Sequence, residues 1–239
     1  MTDVFWFEQT VADLPAVQDW LSASEAACAD GMRVAKRRAD WLLGRWTAKQ
    51  GVAAYWKTRA THRMLADIEI RPAEFGAPEV FRSGNAADLV ISLSHCGGRA
   101  VCAVAPPYVA LGCDLEVVEP RSAAFVSDYF TVAEQSLLGA VAPVDQPRVV
   151  ALLWSAKESV LKALGVGLRL DTRRLQVHLT DGQNPGLWRP LQVRYDAETF
   201  RGWWQSTGSL VRTLIAAPAP RMPVAQAALP VSGFAVRSC

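Results

Sequence analysis

Leu111-Gly112-Cys113-Asp114-Leu115-Glu116-Val117 sets apolar residues at 111, 113, 115 and 117 against Gly112, Asp114 and Glu116. A period of two predicts a strand with one buried face. On such a strand Asp114 and Glu116 share a face, about 7 Å apart at roughly 3.3 Å per residue. Two carboxylates so placed repel each other unless a cation lies between them, and a hard ion such as Mg²⁺ suits their oxygens. A solvated strand face carrying two acids is the alternative. The rest of the chain has to decide between them.

With 239 residues, 51% of them hydrophobic, and nine Trp, the chain is expected to be an ordered globular protein. A net charge of +2 requires no polyanionic partner, but the charge is uneven: Arg33 to Arg63 holds nine Lys or Arg and one acid, Asp40. Five Cys without Cys-x-x-Cys spacing indicate neither a disulfide framework nor zinc. The N-terminal residues lack the pattern of a signal peptide, and no run approaches the roughly 18 apolar residues of a membrane helix. A reduced, cytoplasmic compartment is expected. A Gly-rich phosphate loop, a Gly-x-Ser-x-Gly elbow, His-Glu-x-x-His and any repeat of fixed short period are all lacking, which gives nucleophilic hydrolysis and zinc chemistry little support.

In chain order, strands are expected at 4–7, 89–95, 100–105, 175–179, 191–195 and 210–216. Helices are expected at 19–29, 34–56, 123–140 and 147–164, with loops over 69–88. In the first long helix Arg38, Arg45 and Lys49 fall within an arc of about 40° at 100° per residue, beside Trp41 and Leu42. That stripe reads as a solvated face, a nucleic-acid surface or a phosphate site. Gly44 beside Arg45 would permit close approach of a backbone or ligand. His95 ends a strand next to Gly97-Gly98, where imidazole is either structural or a donor to an anion. In the second long helix Lys157 falls inside the apolar arc and either snorkels or meets a buried anion. Trp154, Glu158 and Lys162 form an i, i+4, i+8 stripe along the edge of that arc. Pro106-Pro107 is the best candidate boundary between halves, and the Ala/Pro-rich chain from 217 on is expected to be a loosely ordered extension.

Taken in order, Ser94-His95, Gly112-Cys113-Asp114-Leu115-Glu116 and Trp154-Ser155-Ala156-Lys157-Glu158-Ser159-Val160-Leu161-Lys162-Ala163 resemble the Sfp-type 4′-phosphopantetheinyl transferase family. Lys36-Arg37-Arg38 through Gly44-Arg45 resembles its basic helix. The resemblance spans roughly residues 33 to 170. It implies an α+β fold of two similar subdomains related by a pseudo-twofold, 1–107 and 108–216, followed by the extension 217–239, with the active site in the cleft between the subdomains. The implied reaction moves the phosphopantetheine arm of coenzyme A to a serine of an apo carrier protein or domain of a fatty-acid, polyketide or nonribosomal-peptide synthase, releasing 3′,5′-ADP. By the same resemblance Asp114, Glu116 and Glu158 would hold Mg²⁺, and Glu158 and Lys162 would be catalytic. Arg37 or Arg38 with Arg45, together with Ser94, His95, Lys157 and Lys162, would bind coenzyme A. A monomer without membrane or nucleic-acid partners is implied. The sequence departs from the family pattern at Ala77, where Gly-Lys-Pro usually places a lysine, and at Ile91-Ser92. Two other classes stay open: a Mg²⁺-dependent nucleotide phosphohydrolase, and a nucleic-acid-binding protein using the basic helix.

Overall fold

The computed structural model describes residues 1–58, 61–179 and 187–225. In chain order the elements are β1 (Phe5–Thr10), α1 (Ala23–Asp30), α2 (Ala35–Tyr55), α3 (His62–Ala66), β2 (Ile68–Pro72), β3 (Pro78–Arg82), β4 (Asn85–Ala86), β5 (Val90–Cys96) and β6 (Arg99–Ala105). They continue as β7 (Ala110–Val117), α4 (Ala123–Tyr129), α5 (Val132–Ala140), α6 (Gln146–Ala163), β8 (Leu175–Leu179), β9 (Arg189–Tyr195), β10 (Glu198–Thr207), β11 (Leu210–Ala217) and β12 (Val224–Ala225).

Two main sheets run β12-β1-β6-β5 and β7-β11-β10-β9-β8, and a small one runs β2-β3-β4. Alternation within the strands assigns each face a partner. Cys102 and Val104 of β6 pack in a core with Leu42, Trp46 and Val52 of α2. Val101 and Ala103 of β6 turn the other way and join Leu111, Cys113 and Leu115 of β7. On the second sheet Val211 and Ile215 of β11 pack with Leu153, Val160 and Leu161 of α6. The layers are therefore helix, sheet, sheet, helix, with the inner core as the seam. Each fully buried leucine stabilises this arrangement by about 1.5–3 kcal/mol. The observed mixture of antiparallel sheets and covering helices is the expected α+β class.

The long helices and the strands around Asp114 lie where their periodicity places them. Four segments differ from expectation. The expected helix 123–140 is two helices, because Thr131 caps α5 and Glu134 closes a capping box onto it, leaving Phe130 extended. The expected loop 69–88 is a hairpin, with Pro72 paired to Pro78 at its tip and Gly76 in the turn at φ +85°. Strand β10 was not anticipated, although it is the ten-residue centre of the second sheet. Past residue 217 the chain is ordered as far as 225: β12 pairs parallel with β1, and Arg221 bonds Asp3 at 2.8 Å. The rest of the expected extension lies outside the described residues.

Candidate active site

Strand β7 delivers the acid pair, and its alternation points Asp114 at α6 while Cys113 and Leu115 face the seam. Gly112 sets how close the helix comes. A Cβ added there would lie 1.8 Å from the Ser159 carbonyl oxygen of α6, so only glycine lets backbone meet backbone at this point. From α6, Lys162 then donates to Asp114 Oδ1 at 2.7 Å and to the Cys113 carbonyl at 3.1 Å. On its other side β7 meets β5. Ser92 Oγ accepts from the Cys113 amide at 2.9 Å, and Ser94 Oγ donates to Asp114 Oδ1 at 2.8 Å. Asp114 is buried, and its Oδ2 has no partner among the described residues.

Glu116 is half-buried and lies 3.3 Å from Arg121, which also pairs with Glu119. Burial, then the neighbouring Asp114, push its carboxyl up to about 7, and Glu158 adds to the rise. Glu158 makes no hydrogen bond or ion pair among the described residues. Burial first, and Asp114 after it, raise its carboxyl above the ordinary range, against the pull of Lys162. Burial pulls the Lys162 ammonium down, but Asp114 outweighs it and the net shift is upward, so the lysine stays charged. Cys113 is fully buried, with its thiol pushed up by burial to about 11, and is chemically inert here.

These carboxylates fit a hard divalent cation. Asp114 has an orphaned buried oxygen, and Glu116 is pushed toward protonation first by burial and then by Asp114, a cost that a cation relieves. They are not drawn into one chelate: among the described residues no three His, Cys, Asp or Glu side chains are gathered to hold a metal.

The next stretch of β5 leads to a second feature. Leu93 and His95 alternate with Ser92 and Ser94 and line a cavity of about 220 Å³ with Gly44, Arg45 and Arg71. Gly44 leaves space there, since a Cβ would still stand 3.9 Å from the His95 ring. Arg45 lies over Trp41 at 4.7 Å. Arg37 lines an adjoining cavity of about 360 Å³ with Lys36, Trp41 and His95. Hence Ser94 touches the acid cluster while its neighbour His95 faces the cationic cavity. A third cavity, also about 360 Å³, lies between the halves, where Lys162 and Leu164 face Ile91, Leu111 and Pro78.

Three of the anticipated binding residues are placed otherwise. Lys157 is not on the cleft wall: it is 0% exposed, and its ammonium pairs with buried Glu134 at 2.7 Å while donating to the carbonyls of Tyr129 and Thr172. The buried-anion alternative for this lysine is the observed one. Arg38 turns away from the cavity, donating to the Ala29 carbonyl at 3.1 Å and Gln18 at 3.0 Å. Ser94 directs its hydroxyl at a carboxylate, not outward. The cationic stripe is also broken, because Lys49 is buried against Glu25. A nucleic-acid surface through Arg38, Arg45 and Lys49 therefore lacks the fully buried Lys49, and Arg38 is engaged by Ala29 and Gln18. Arg71 and Arg121 were not singled out. Arg121 stands five residues past Glu116 in a polar loop, a proximity that was legible, whereas Arg71 needed the hairpin.

The sequence model of the 4′-phosphopantetheinyl transferase superfamily matches residues 110–208, which include both acids of β7 and all of α6. A 4′-phosphopantetheinyl transferase from Bacillus subtilis is 31% identical over 168 residues, covering 60% of this chain and 72% of the relative. The chain belongs to the 4′-phosphopantetheinyl transferase family. A second member, Sfp from Bacillus subtilis strain 168, is 32% identical over 119 residues, covering 49% of this transferase and 51% of Sfp. Among solved structures, the transferase is similar to a holo-(acyl-carrier-protein) synthase from Bacillus anthracis in complex with CoA, with TM-score 0.37 and 20% identity over 44% of this chain and 95% of that one. No helix of the transferase, among the described residues, is long and apolar enough to cross a membrane.

Proposed function

We propose that this transferase moves 4′-phosphopantetheine from coenzyme A to a serine hydroxyl of an apo carrier protein, releasing 3′,5′-ADP. The observation that carries the reading is the Lys162 ammonium of α6 and the Ser94 hydroxyl of β5 converging on Asp114 of β7, next to a basic cavity lined by His95. The serine oxygen forms a bond to the phosphorus that carries the pantetheine arm, and the bridging pyrophosphate oxygen departs with 3′,5′-ADP. Glu158 accepts the serine proton. Its burial and unpaired state suit a base, because a raised carboxyl holds a proton better than a solvated one. Lys162, kept charged by Asp114, faces the pyrophosphate oxygens and stabilises the charge that collects on them. Arg45, Arg37 and His95 bind the 3′-phosphate, where guanidinium groups match an anion's oxygens.

Asp114, Glu116 and Glu158 would hold Mg²⁺, whose chemistry is to neutralise the pyrophosphate and the developing charge on the leaving group. The orphaned Asp114 oxygen supports this donor set. The same reading describes a monomeric cytoplasmic enzyme with subdomains 1–107 and 108–216, serving carriers of fatty-acid, polyketide or nonribosomal-peptide synthesis. Free Cys28, Cys96, Cys102 and Cys113 support a reducing compartment.

The test is to incubate the protein with coenzyme A, Mg²⁺ and a panel of apo carriers from the three pathways, and to weigh the products. A phosphopantetheine-sized gain at the acceptor serine, with equimolar 3′,5′-ADP, is expected. Folded protein that modifies none of the carriers, or that releases inorganic phosphate without a carrier, would overturn the assignment.

A further inference from the structure

The cationic cavity beside His95 has a wall that no motif marks. Its basic side chains come from three separate elements: Arg45 from α2, His95 from β5, and Arg71 from the hairpin strand β2. Arg71 is held in place on two sides. It donates to Glu69 Oε2 at 2.7 Å, and its guanidinium carbon lies 4.1 Å over the Phe81 ring of the paired strand β3. Glu69 is itself anchored by a hydrogen bond from Ser24. One guanidinium edge is thus fixed, and among the described residues its remaining N–H groups have no hydrogen-bond partner. Asp40 and Glu25 near the cavity each have a lysine of their own: Asp40 pairs with Lys36 at 2.9 Å, and buried Glu25 pairs with Lys49 and also lies 3.9 Å from Arg45. The cavity keeps excess positive charge in a space suited to a phosphate. Pre-fixing the fork limits the side-chain entropy lost on binding, an ordinary cost for arginine.

We infer that Arg71 is a specificity-determining residue that donates to the 3′-phosphate of coenzyme A, so that the protein distinguishes coenzyme A from dephospho-coenzyme A partly through the β2 hairpin. The inference rests on the proposed coenzyme A site. Ala77, in the turn of the same hairpin, offers no charge, so Arg71 is the cation this hairpin brings to the cavity.

Calorimetric titration of the purified protein with coenzyme A and with dephospho-coenzyme A, at saturating Mg²⁺, tests it. Arg71→Gln is expected to weaken coenzyme A about tenfold or more, the scale of one charge-assisted hydrogen-bond pair, while dephospho-coenzyme A changes less than about twofold. Arg71→Lys is expected to recover part of the loss. In turnover assays KM for coenzyme A rises while kcat is held. Equal weakening of both ligands, or unchanged binding of both, would overturn the role of Arg71 even in a protein active on carriers. Wild-type protein that binds neither ligand would instead overturn the coenzyme A site, and this inference with it.

Discussion

Two helix faces in this molecule carry nearly the same words: Trp46-Thr47-Ala48-Lys49 in α2 and Trp154-Ser155-Ala156-Lys157 in α6. Their lysines make the same connections. Lys49 pairs with Glu25 and donates to the carbonyls of Trp20 at 2.9 Å and Leu65 at 3.0 Å. Lys157 pairs with Glu134 and donates to those of Tyr129 at 3.0 Å and Thr172 at 2.9 Å. Both glutamates close a capping box, on Ser22 and on Thr131. Each then accepts a strand amide, Ile70 at 3.1 Å for Glu25 and Val177 at 3.0 Å for Glu134. Each ion pair thus ties a long helix, a short capped helix and a strand together. One residue later the halves part. Gln50 is 2% exposed, with neither side-chain polar atom partnered among the described residues, whereas Glu158 is a carboxylate within the field of Lys162 and Asp114. Four further on, Ala54 stands where the second half has Lys162. The frame is shared; the charges to which the proposed chemistry is assigned stand in one half.

Making the second half resemble the first should have the largest effect. Glu158→Gln is expected to lower carrier modification by a factor of about 10²–10⁴, the usual contribution of a positioned base. The mass gain per unit time measures it, with the melting temperature showing that the fold survives. Near-wild-type turnover would mean that the divergence between Gln50 and Glu158 has no catalytic meaning.

Breaking either latch should come next. Lys157→Met and Lys49→Met each leave a buried glutamate unpaired, and each is expected to cost about 3–5 kcal/mol in urea unfolding. Lys157→Met with Glu134→Leu should recover much of its loss. The folded fraction of Lys157→Met should keep its KM for coenzyme A; a raised KM would restore a phosphate role to this lysine.

A smaller effect is expected at Glu116. In the fold its carboxyl is held at about 7, against 4.5 in the open chain, so the folded state keeps a proton that the unfolded state has lost. The stability this contributes is fully present below pH 4.5 and is lost as pH rises to about 7. Glu116→Gln should therefore flatten the fall in melting temperature across that window in divalent-free buffer. An unchanged slope would place the excess charge elsewhere. The smallest change is expected in the first half, where Gln50→Leu removes an unpartnered polar group and should be neutral or stabilising by about 1 kcal/mol. A clear loss of stability would show that Gln50 has a partner after all.

What could be read from the sequence followed from where periodicity was clean. The strand around Asp114 and helices α2 and α6 have one pattern each, and the acid pair with Glu158 and Lys162 needed only those elements. Strand β10 was hidden because Gly202, Trp203 and Trp204 interrupt its alternation. Gly202 is there because a Cβ would meet the Leu214 carbonyl oxygen at 1.8 Å. Pro72 and Pro78 read as loop signals although a hairpin tolerates them at its end. Thr131 with Glu134 did spell a capping box, which locates the break between α4 and α5. Lys157 shows the limit of motif reading: next to Glu158 in sequence, it projects toward a different layer, and its buried partner lies on another helix. The repeated Trp-x-Ala-Lys was visible, but with both copies on long helices it reads as composition until Glu25 and Glu134 appear in equivalent places.

The contact at Gly112 carries a last implication. Because β7 and α6 touch through main chain, no rotamer stands between the strand that bears the acids and the helix that bears the proposed base. The reach from Asp114 to Glu158 is then a dimension of the scaffold, like the gap of a calliper. A single methyl group at residue 112 would pry the jaws apart.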